Sequence, residues 1–377
     1  MLEQIHRHGE LTRAELTTLL GLNRSTIGDL VADLVRRGMV DESVPAGGDK
    51  AGRPSHVVAP RADGPYVLAV EVEVERIVSA TVGLGGRVQV RRETGIEGGR
   101  TSPAAVVAQI ARDARWLAAR MSANASLVGI GVSVPGTVHR PDGLVVHAPN
   151  LRWRDVPFGG QLRRRLGAGL EVRIGNDANL GALAEHQRGA ARQVRDVIYI
   201  SGSVGVGGGV IIDGAEVYGA SGYAGEIGHI PLNPDGPECH CGSFGCVETY
   251  IGEHALLREA GVVGNFGPAA VALVLAEAER GVEAACLAVS TVARWLGRTL
   301  AILMNIFNPQ AIVVGDTLGE VLRLARPQVE AEVGRRAMAE AVRAAEIMTP
   351  QLGRDSSLIG ASELAFQHMF AKIASGD

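Results

Sequence analysis

Between Gly225 and Tyr250, Cys239, Cys241 and Cys246 lie close together among glycines, with His229 a short loop upstream. Thiolates and an imidazole are the donors that a tetrahedral cation such as zinc takes, and a Cys3His set makes a closed, structural site. The competing readings are a disulfide and a chance cluster of buried thiols. An odd trio of cysteines does not pair off, and the N-terminus carries no pattern of a secretory signal, so the oxidising compartment that disulfides need is not indicated. His240 lies between two of the cysteines and is an alternative fourth ligand, though side chains of adjacent residues are poorly placed to share one ion. Cys286, alone in an Ala-rich run, reads as a core thiol.

Such a metal would hold its surroundings still. Glu226 and His229 form Glu-x-Gly-His, and an imidazole that gives one ring nitrogen to a metal keeps the other for a hydrogen bond to a ligand. Upstream, Gly202-Ser203-Val204-Gly205-Val206-Gly207 is a loop whose amides are able to cradle an anion, although a glycine-rich hairpin fits equally well.

Composition narrows the classes. At 377 residues the chain is long for one domain and comfortable for two or three. Its 37 basic and 41 acidic residues give no global basic field, so any nucleic-acid contact must be local. Lys50 and Lys372 are the only lysines. Apolar segments such as Ala311 to Val314 stop at polar or turn residues, so no membrane span is expected and the chain reads as soluble and cytoplasmic.

The elements that must position these residues begin with a capping box, Thr12-Arg13-Ala14-Glu15, which predicts a short helix with Leu16, Leu19 and Leu20 inward. Gly21 breaks it, Asn23 is a good N-cap, and Ile27, Leu30, Val31 and Leu34 recur at helical spacing until Gly38. Two short helices across a tight turn make a helix-turn-helix. Arg24, Ser25 and Thr26 then stand at the start of the second helix, where a recognition helix meets base edges. Strands at Met39 to Asp41 and Ser55 to Ala59 flank a glycine-rich tip, which predicts a β-wing with Lys50 and Arg53 as phosphate or minor-groove contacts. The alternative is a small helical dimerisation or protein-binding domain. It draws support from charge, eight basic against nine acidic residues before Pro65, with Asp29 and Asp33 unwelcome near phosphates.

From Tyr66 the texture changes to alternating strands and helices. Three strands (66–73, 76–83, 86–92), a helix (104–120), a buried strand (128–134), a helix near Gln161, a strand (172–175) and a helix (179–188) make one α/β unit. A second begins at Val197, with strands 197–201 and 208–212, a helix over 284–307, a strand over 311–314 ending in Gly315-Asp316, and a closing helix over 362–373. The reading divides the chain into 1–60, 66–180 with the helix 362–373, and 181–361, with a cleft between the two α/β units.

Together these residues resemble the ROK family of sugar-responsive repressors and sugar kinases, along essentially the whole length. The specific element is Glu226-Ile227-Gly228-His229 followed by Cys239-x-Cys241-x4-Cys246 and Glu248, similar to the family's combined sugar and zinc signature. Asn176-Asp177-Ala178-Asn179, Ala148-Pro149-Asn150, and Asn308-Pro309 with Gly315 match further family segments. The resemblance implies an N-terminal winged helix-turn-helix, as in the repressor branch, followed by two actin-like, or ribonuclease-H-like, α/β subdomains. It implies a sugar or sugar-derivative effector among Asn150, Asn176, Asp177, Glu226, His229 and Glu248, structural zinc on His229, Cys239, Cys241 and Cys246, and double-stranded operator DNA bound by a homodimer or homotetramer. Each effector residue also has a plainer role open to it: Asn150 and Asn176 can shape turns, and Glu226 or Glu248 can orient metal ligands.

One departure bears on activity. Kinases of the family carry an Asp-x-Gly-Gly-Thr turn against the ATP phosphates, and here the stretch is Glu71-Val72-Glu73-Val74-Glu75. Glu73 and Val74 replace the two glycines, and carboxylates repel polyphosphate. Asp177 matches the kinase general base, so without ATP it is expected to accept a hydrogen bond from the sugar rather than catalyse. The expectation is a regulator and not an enzyme; an active sugar kinase with an appended DNA-binding domain is the alternative.

Overall fold

The computed structural model describes residues 1–44, 55–96, 102–167, 169–264 and 267–375; the expected wing tip with Lys50 and Arg53 lies outside them. The chain opens with α1 (Leu2–His8), β1 (Leu11–Thr12), α2 (Arg13–Leu20), α3 (Arg24–Arg36), β2 (Val40–Ser43) and β3 (Val57–Pro60). The capping box is formed: the Thr12 hydroxyl accepts from the Glu15 amide at 3.1 Å while the Glu15 carboxylate accepts from the Thr12 amide at 2.7 Å. Gly21, at φ 64°, ends α2, and the Asn23 side chain starts α3 by accepting from the Thr26 amide at 2.9 Å. A short strand that the sequence did not reveal, β1, completes a sheet of order β1-β3-β2. Leu16, Ile27 and Val31 are fully buried, but Leu19 is 50% and Leu30 38% exposed. Leu19 stands about 100° round the helix from Leu20, and two such short helices bury one narrow stripe each.

The body repeats one topology twice. Strands β4 (Pro65–Val72), β5 (Arg76–Gly83) and β6 (Val88–Gly95) form an antiparallel meander. Then α4 (Pro103–Ala118) leads to β7 (Ser126–Val134), parallel to β4. A small sheet of β8 (Thr137–His139), β9 (Leu144–Ala148) and β10 (Trp153–Val156) follows, then α5 (Phe158–Leu166), β11 (Val172–Asn176) and α6 (Asp177–Gln187). The second pass runs β12 (Val197–Gly202), β13 (Val206–Ile212), β14 (Ala215–Glu216), α7 (Glu248–Ile251), α8 (Glu253–Glu259), α9 (Pro268–Glu279), α10 (Glu283–Phe307), β15 (Ala311–Gly315), α11 (Asp316–Arg336), α12 (Ala339–Ala344) and β16 (Glu346–Met348). Sheet orders β11-β7-β4-β5-β6 and β16-β15-β12-β13-β14 are the same arrangement, a hairpin pair on one side and parallel strands on the other. This is the expected class, a winged helix-turn-helix ahead of two actin-like halves.

The last helix, α13 (Ser356–Ser375), returns to the first sheet and begins six residues before the expected 362. It lies on β7 and against α6, and both approaches depend on glycine. A Cβ on Gly131 would stand 1.8 Å from the Ala361 carbonyl, and one on Gly360 would stand 1.9 Å from the Leu180 carbonyl. The division expected at 180/181 falls inside α6, which packs on both sheets.

Helix α10 corrects another expectation, because by length and composition it is long and apolar enough to cross a bilayer. Its Val289, Val292, Leu296, Leu300 and Leu303 are instead buried in the core of the second half, with Val321, Leu322 and Val329 of α11.

Replacing Gly131 by alanine is expected to destabilise the chain by about 2–3 kcal/mol, since the new methyl must push α13 off β7. Urea denaturation followed by circular dichroism measures this, and an unchanged midpoint would contradict the packing described.

Candidate functional site

After β14 the chain reaches a single helical turn at Ile227–His229 and then a loop that folds back on itself through bridges between Pro231 and Cys246 and between Glu238 and Phe244. The Gly242 amide donates to the Cys239 carbonyl at 2.9 Å, so Cys239 and Cys241 sit on one tight turn, and Gly242 at φ 88° closes it. The Val247 amide donates to the Ile230 carbonyl at 2.9 Å, which draws Cys246 up to His229. The four donor atoms of His229, Cys239, Cys241 and Cys246 all lie within 4.8 Å of one another. Cys241 Sγ and Cys246 Sγ are 3.7 Å apart, as are His229 Nδ1 and Cys239 Sγ. A tetrahedron with metal–sulfur bonds of about 2.3 Å has edges of about 3.8 Å, so the group fits a cation such as zinc. His229, and not His240, is the imidazole of the set. It turns Nδ1 to the thiols, which leaves Nε2 facing the Glu226 carboxylate at 3.9 Å.

The same loop delivers Glu248, because Cys246 and Val247 run straight into α7. Glu248 Oε2 accepts from the Val206 amide at 3.1 Å. The Gly202–Gly207 loop, a possible anion cradle by sequence, therefore already holds a carboxylate of its own chain, and it closes on itself where the Ser203 amide meets the Gly205 carbonyl at 2.9 Å. A Cβ on Gly205 would stand 2.7 Å from Glu248 Oε2 and 3.8 Å from Asn150 Nδ2, so Asn150 and Glu248 converge over that glycine.

Asn176 and Asp177 stand where β11 becomes α6. The Asn176 amide is committed at both ends, accepting from the Asn179 amide at 3.1 Å and donating to the Gly136 carbonyl at 3.0 Å. These bonds hold the helix start and the turn after β7, and they use one N–H and one lone pair of the amide. Asp177 accepts from the Ala178 amide at 2.9 Å. Burial, then the charges of Asp316 and Glu226, push its carboxyl up to about 7 despite that bond.

These residues face a wall of further carboxylates. Glu71 is raised well above the usual range by burial and by Glu73, Asp177 and Asp316. Burial, then Glu253 and Glu73, push Asp316 up to about 6. Glu253 is raised by burial while its carboxylate accepts from the Thr317 hydroxyl at 3.1 Å. Asp316 and Glu253 were not singled out from the sequence as site residues. The signal was the position of Asp316 directly after β15, since residues just past strand ends line the crevice of an α/β sheet. The Glu73–Arg76 turn between β4 and β5 is closed, with the Glu73 amide on the Arg76 carbonyl at 2.9 Å and the Arg76 Nε on the Glu73 carboxylate at 2.9 Å.

On the winged helix, Arg24 and Ser25 are exposed at the start of α3, and Thr26 is half-buried. Ser25 donates to the Asn23 side chain at 2.7 Å. Arg36 and Arg37 are both held by Asp33, at 2.8 and 2.7 Å.

Two family models match the chain. A family model described as the ROK family matches residues 67–368, and one described as the MarR family matches residues 1–51. The chain is 28% identical over 379 residues to the xylose repressor of Bacillus subtilis, covering 99% of this chain and 95% of that protein. A crystal structure of a ROK family transcriptional regulator, described as a homologue of the E. coli MLC protein, superposes with a TM-score of 0.78 at 23% identity, covering 94% of this chain and 91% of that one. A ROK family glucokinase from Streptomyces griseus, in complex with glucose and AMPPNP, gives 0.67 at 30% identity, covering 80% of this chain and 99% of that one.

With a folded-state value of about 7 against an ordinary 3.8, Asp177 keeps in the native chain a proton that the unfolded chain releases. The associated stability is present below the ordinary carboxylate range and is lost as pH rises through the folded value. Asp177→Asn, which keeps the acceptor for the Ala178 amide, is expected to be neutral at pH 4 and to stabilise the chain on the order of 2 kcal/mol at pH 8.5. Thermal melts at the two pH values check this, and equal shifts at both would contradict a proton held at Asp177.

Proposed function

The chain belongs to the ROK family, and on that premise we propose that it is a sugar-responsive transcriptional repressor that binds operator DNA and uses a kinase-type body as a sensor without catalysis. The observation that carries this reading is the joining of a winged helix to a body whose phosphate turn is the closed, acidic segment Glu73–Arg76. A polyphosphate approaching there meets Glu71, Glu73, Asp316 and Glu253 instead of free amides, and like charge in a partly desolvated cleft opposes it.

The effector is a sugar or sugar derivative, and Asn150, Asn176, Asp177, Glu226, His229 and Glu248 contact it, with Asn176 also setting Asp177 at the helix start. Acceptors and donors of this kind discriminate hydroxyl patterns, because the wrong sugar leaves buried partners unpaired. Zinc on His229, Cys239, Cys241 and Cys246 is structural: it fixes the imidazole so that Nε2 points to the ligand, and it ties the Glu226 turn to the helix that starts at Glu248. Sugar bound between the two halves changes their closure, and with it the spacing of the paired DNA-binding heads in a homodimer or homotetramer. The units are 1–60, a first half from 66 to 180 with the C-terminal helix, and a second half from 181 to 361, with α6 shared across the 180/181 boundary. Arg24, Ser25 and Thr26 meet the major groove, with Lys50 and Arg53 on the wing. The site of action is the cytoplasm.

Three measurements test this. Fluorescence anisotropy with DNA from upstream of the protein's own gene is expected to show tight, salt-sensitive binding that one member of a sugar panel releases. Glu226→Ala is expected to weaken that release at least tenfold, about 1.4 kcal/mol, without altering DNA affinity in the absence of sugar. ATP-dependent phosphorylation of any sugar in the panel would instead favour a kinase with an appended DNA head, the reading to which the likeness to the glucokinase lends support. Metal analysis is expected to find about one zinc per chain in the parent, and Cys241→Ser is expected to lose zinc, stability and sugar release together. Intact sugar release in the zinc-free variant would sink the claim that the metal positions His229.

A further inference from the structure

Arg188, which ends α6, spreads its guanidinium over three elements. Nε donates to the Glu363 carboxylate on α13, Nη1 donates to the Gly85 carbonyl in the turn between β5 and β6 at 2.9 Å, and Nη2 donates to the His6 carbonyl on α1 at 3.1 Å. Glu363 is 1% exposed, and its other oxygen accepts from His6 Nε2 at 2.9 Å while the Gly85 amide donates to His6 Nδ1 at 3.0 Å. Phe366 and Phe370 flank the imidazole with ring centres 4.5 and 5.2 Å away. A Cβ on Gly86 would stand 2.3 Å from Arg188 Nε, so the turn is bare where the guanidinium enters. Burial alone would raise the Glu363 carboxyl, but His6 and Arg188 outweigh it and hold it at about 2.

Apart from a bond from Arg192 Nη2 to the Arg7 carbonyl at 3.3 Å, the contacts around this cluster are mainly apolar. Leu2 and Ile5 share one core with Val82, Leu84, Leu183 and Phe366, and such contacts are non-directional. An ion cluster whose donors are committed to three elements admits one arrangement, so it is the part of the junction that specifies orientation.

The opposite end of α6 is Asp177, about 16 Å away along the helix. Between the two ends, buried Glu185 accepts from the amides of Ala190, Gln351 and Leu352 at 2.8, 3.0 and 2.9 Å and from the Ser356 hydroxyl at 2.8 Å. The Ser357 hydroxyl donates to the Asp177 carbonyl at 3.1 Å. These bonds bolt α6 to the start of α13, so the two helices move as one piece.

We propose that Arg188, with Glu363 and His6, is the joint that sets the winged helix on the body, and that α6 carries a change at Asp177 to that joint. The inference rests on the reading of Asp177 as an effector contact, but its test needs neither sugar nor operator. Hydrogen–deuterium exchange of the full chain, resolved by peptide, is the measurement. Arg188→Gln is expected to speed exchange in α1 at least tenfold, with α2, α3 and the second sheet unchanged. Arg188→Lys is expected to do nearly the same, because it keeps the charge and loses the fork; full rescue by lysine would overturn the three-way geometry. Should Arg188→Gln not fold, Glu363→Gln takes its place with the same expectation. Asp177→Asn is expected to alter α1 exchange in the parent and to have no effect on it in the Arg188→Gln chain. Unaltered α1 exchange in Asp177→Asn, or an equal change with and without Arg188, overturns the proposal. A chain that passes this test yet ignores every sugar keeps the joint and loses the sugar-responsive reading.

Discussion

Backbone lies on backbone at the centre of this molecule, and the rest of the arrangement depends on it. Helix α13 reaches the β7 strand and helix α6 only because Gly131 and Gly360 present no side chain at the two contacts. The same device seats α6 on the second sheet, where a Cβ on Gly181, Gly207 or Gly209 would stand 2.7, 2.7 or 2.5 Å from Tyr199, Ala178 or Ala182. One helix thereby touches both five-stranded sheets, begins in the cleft between them and ends against the winged helix. Close packing of this kind transmits displacement because it has little room to absorb it.

Negative charge is the second constraint. The residues just past the strand ends converge on one crevice, and in this chain many of them are carboxylates. Of the cations near them, Arg76 is shared between Glu73 and Glu93, and Arg354 offsets Asp316. Burial, and after it the repulsion among these groups, favours the protonated forms, pushing Asp177 up to about 7 and Asp316 up to about 6. A crevice in that state is better suited to uncharged hydroxyl groups, which can donate to ionised oxygens and accept from protonated ones, than to an anion.

Legibility in the sequence followed the range of the interaction. The capping box at Thr12, the break at Gly21 and the cap at Asn23 are each written within a few consecutive residues and are formed as read, and the four donors of the Cys3His set, spread over eighteen residues, are brought together. The periodicity of α2 and α3 overstated burial, because Leu19 and Leu30 fit a helical stripe that short helices cannot fully cover. Helix α11 went unread, since Pro327 lies inside it and breaks its pattern at Ala325. The acidic wall joins residues 71, 177, 253 and 316, and the His6–Glu363 bond closes 357 residues of chain. No local pattern encodes such partners; they become visible only when the topology is known.

The unbroken core that runs from Leu2, Ile5 and Leu16 through β4 and β5 to Phe366 and Met369 has a consequence for how such chains are recombined. The winged helix and the body match separate family models, as though two modules had been spliced. Energetically they are not separable beads on a string. A transplanted head would carry an uncovered apolar face and a stranded His6 unless the facing surface of α13 and the Gly85-Gly86 turn travelled with it. The seam between the two matched segments is itself part of the interior of the protein.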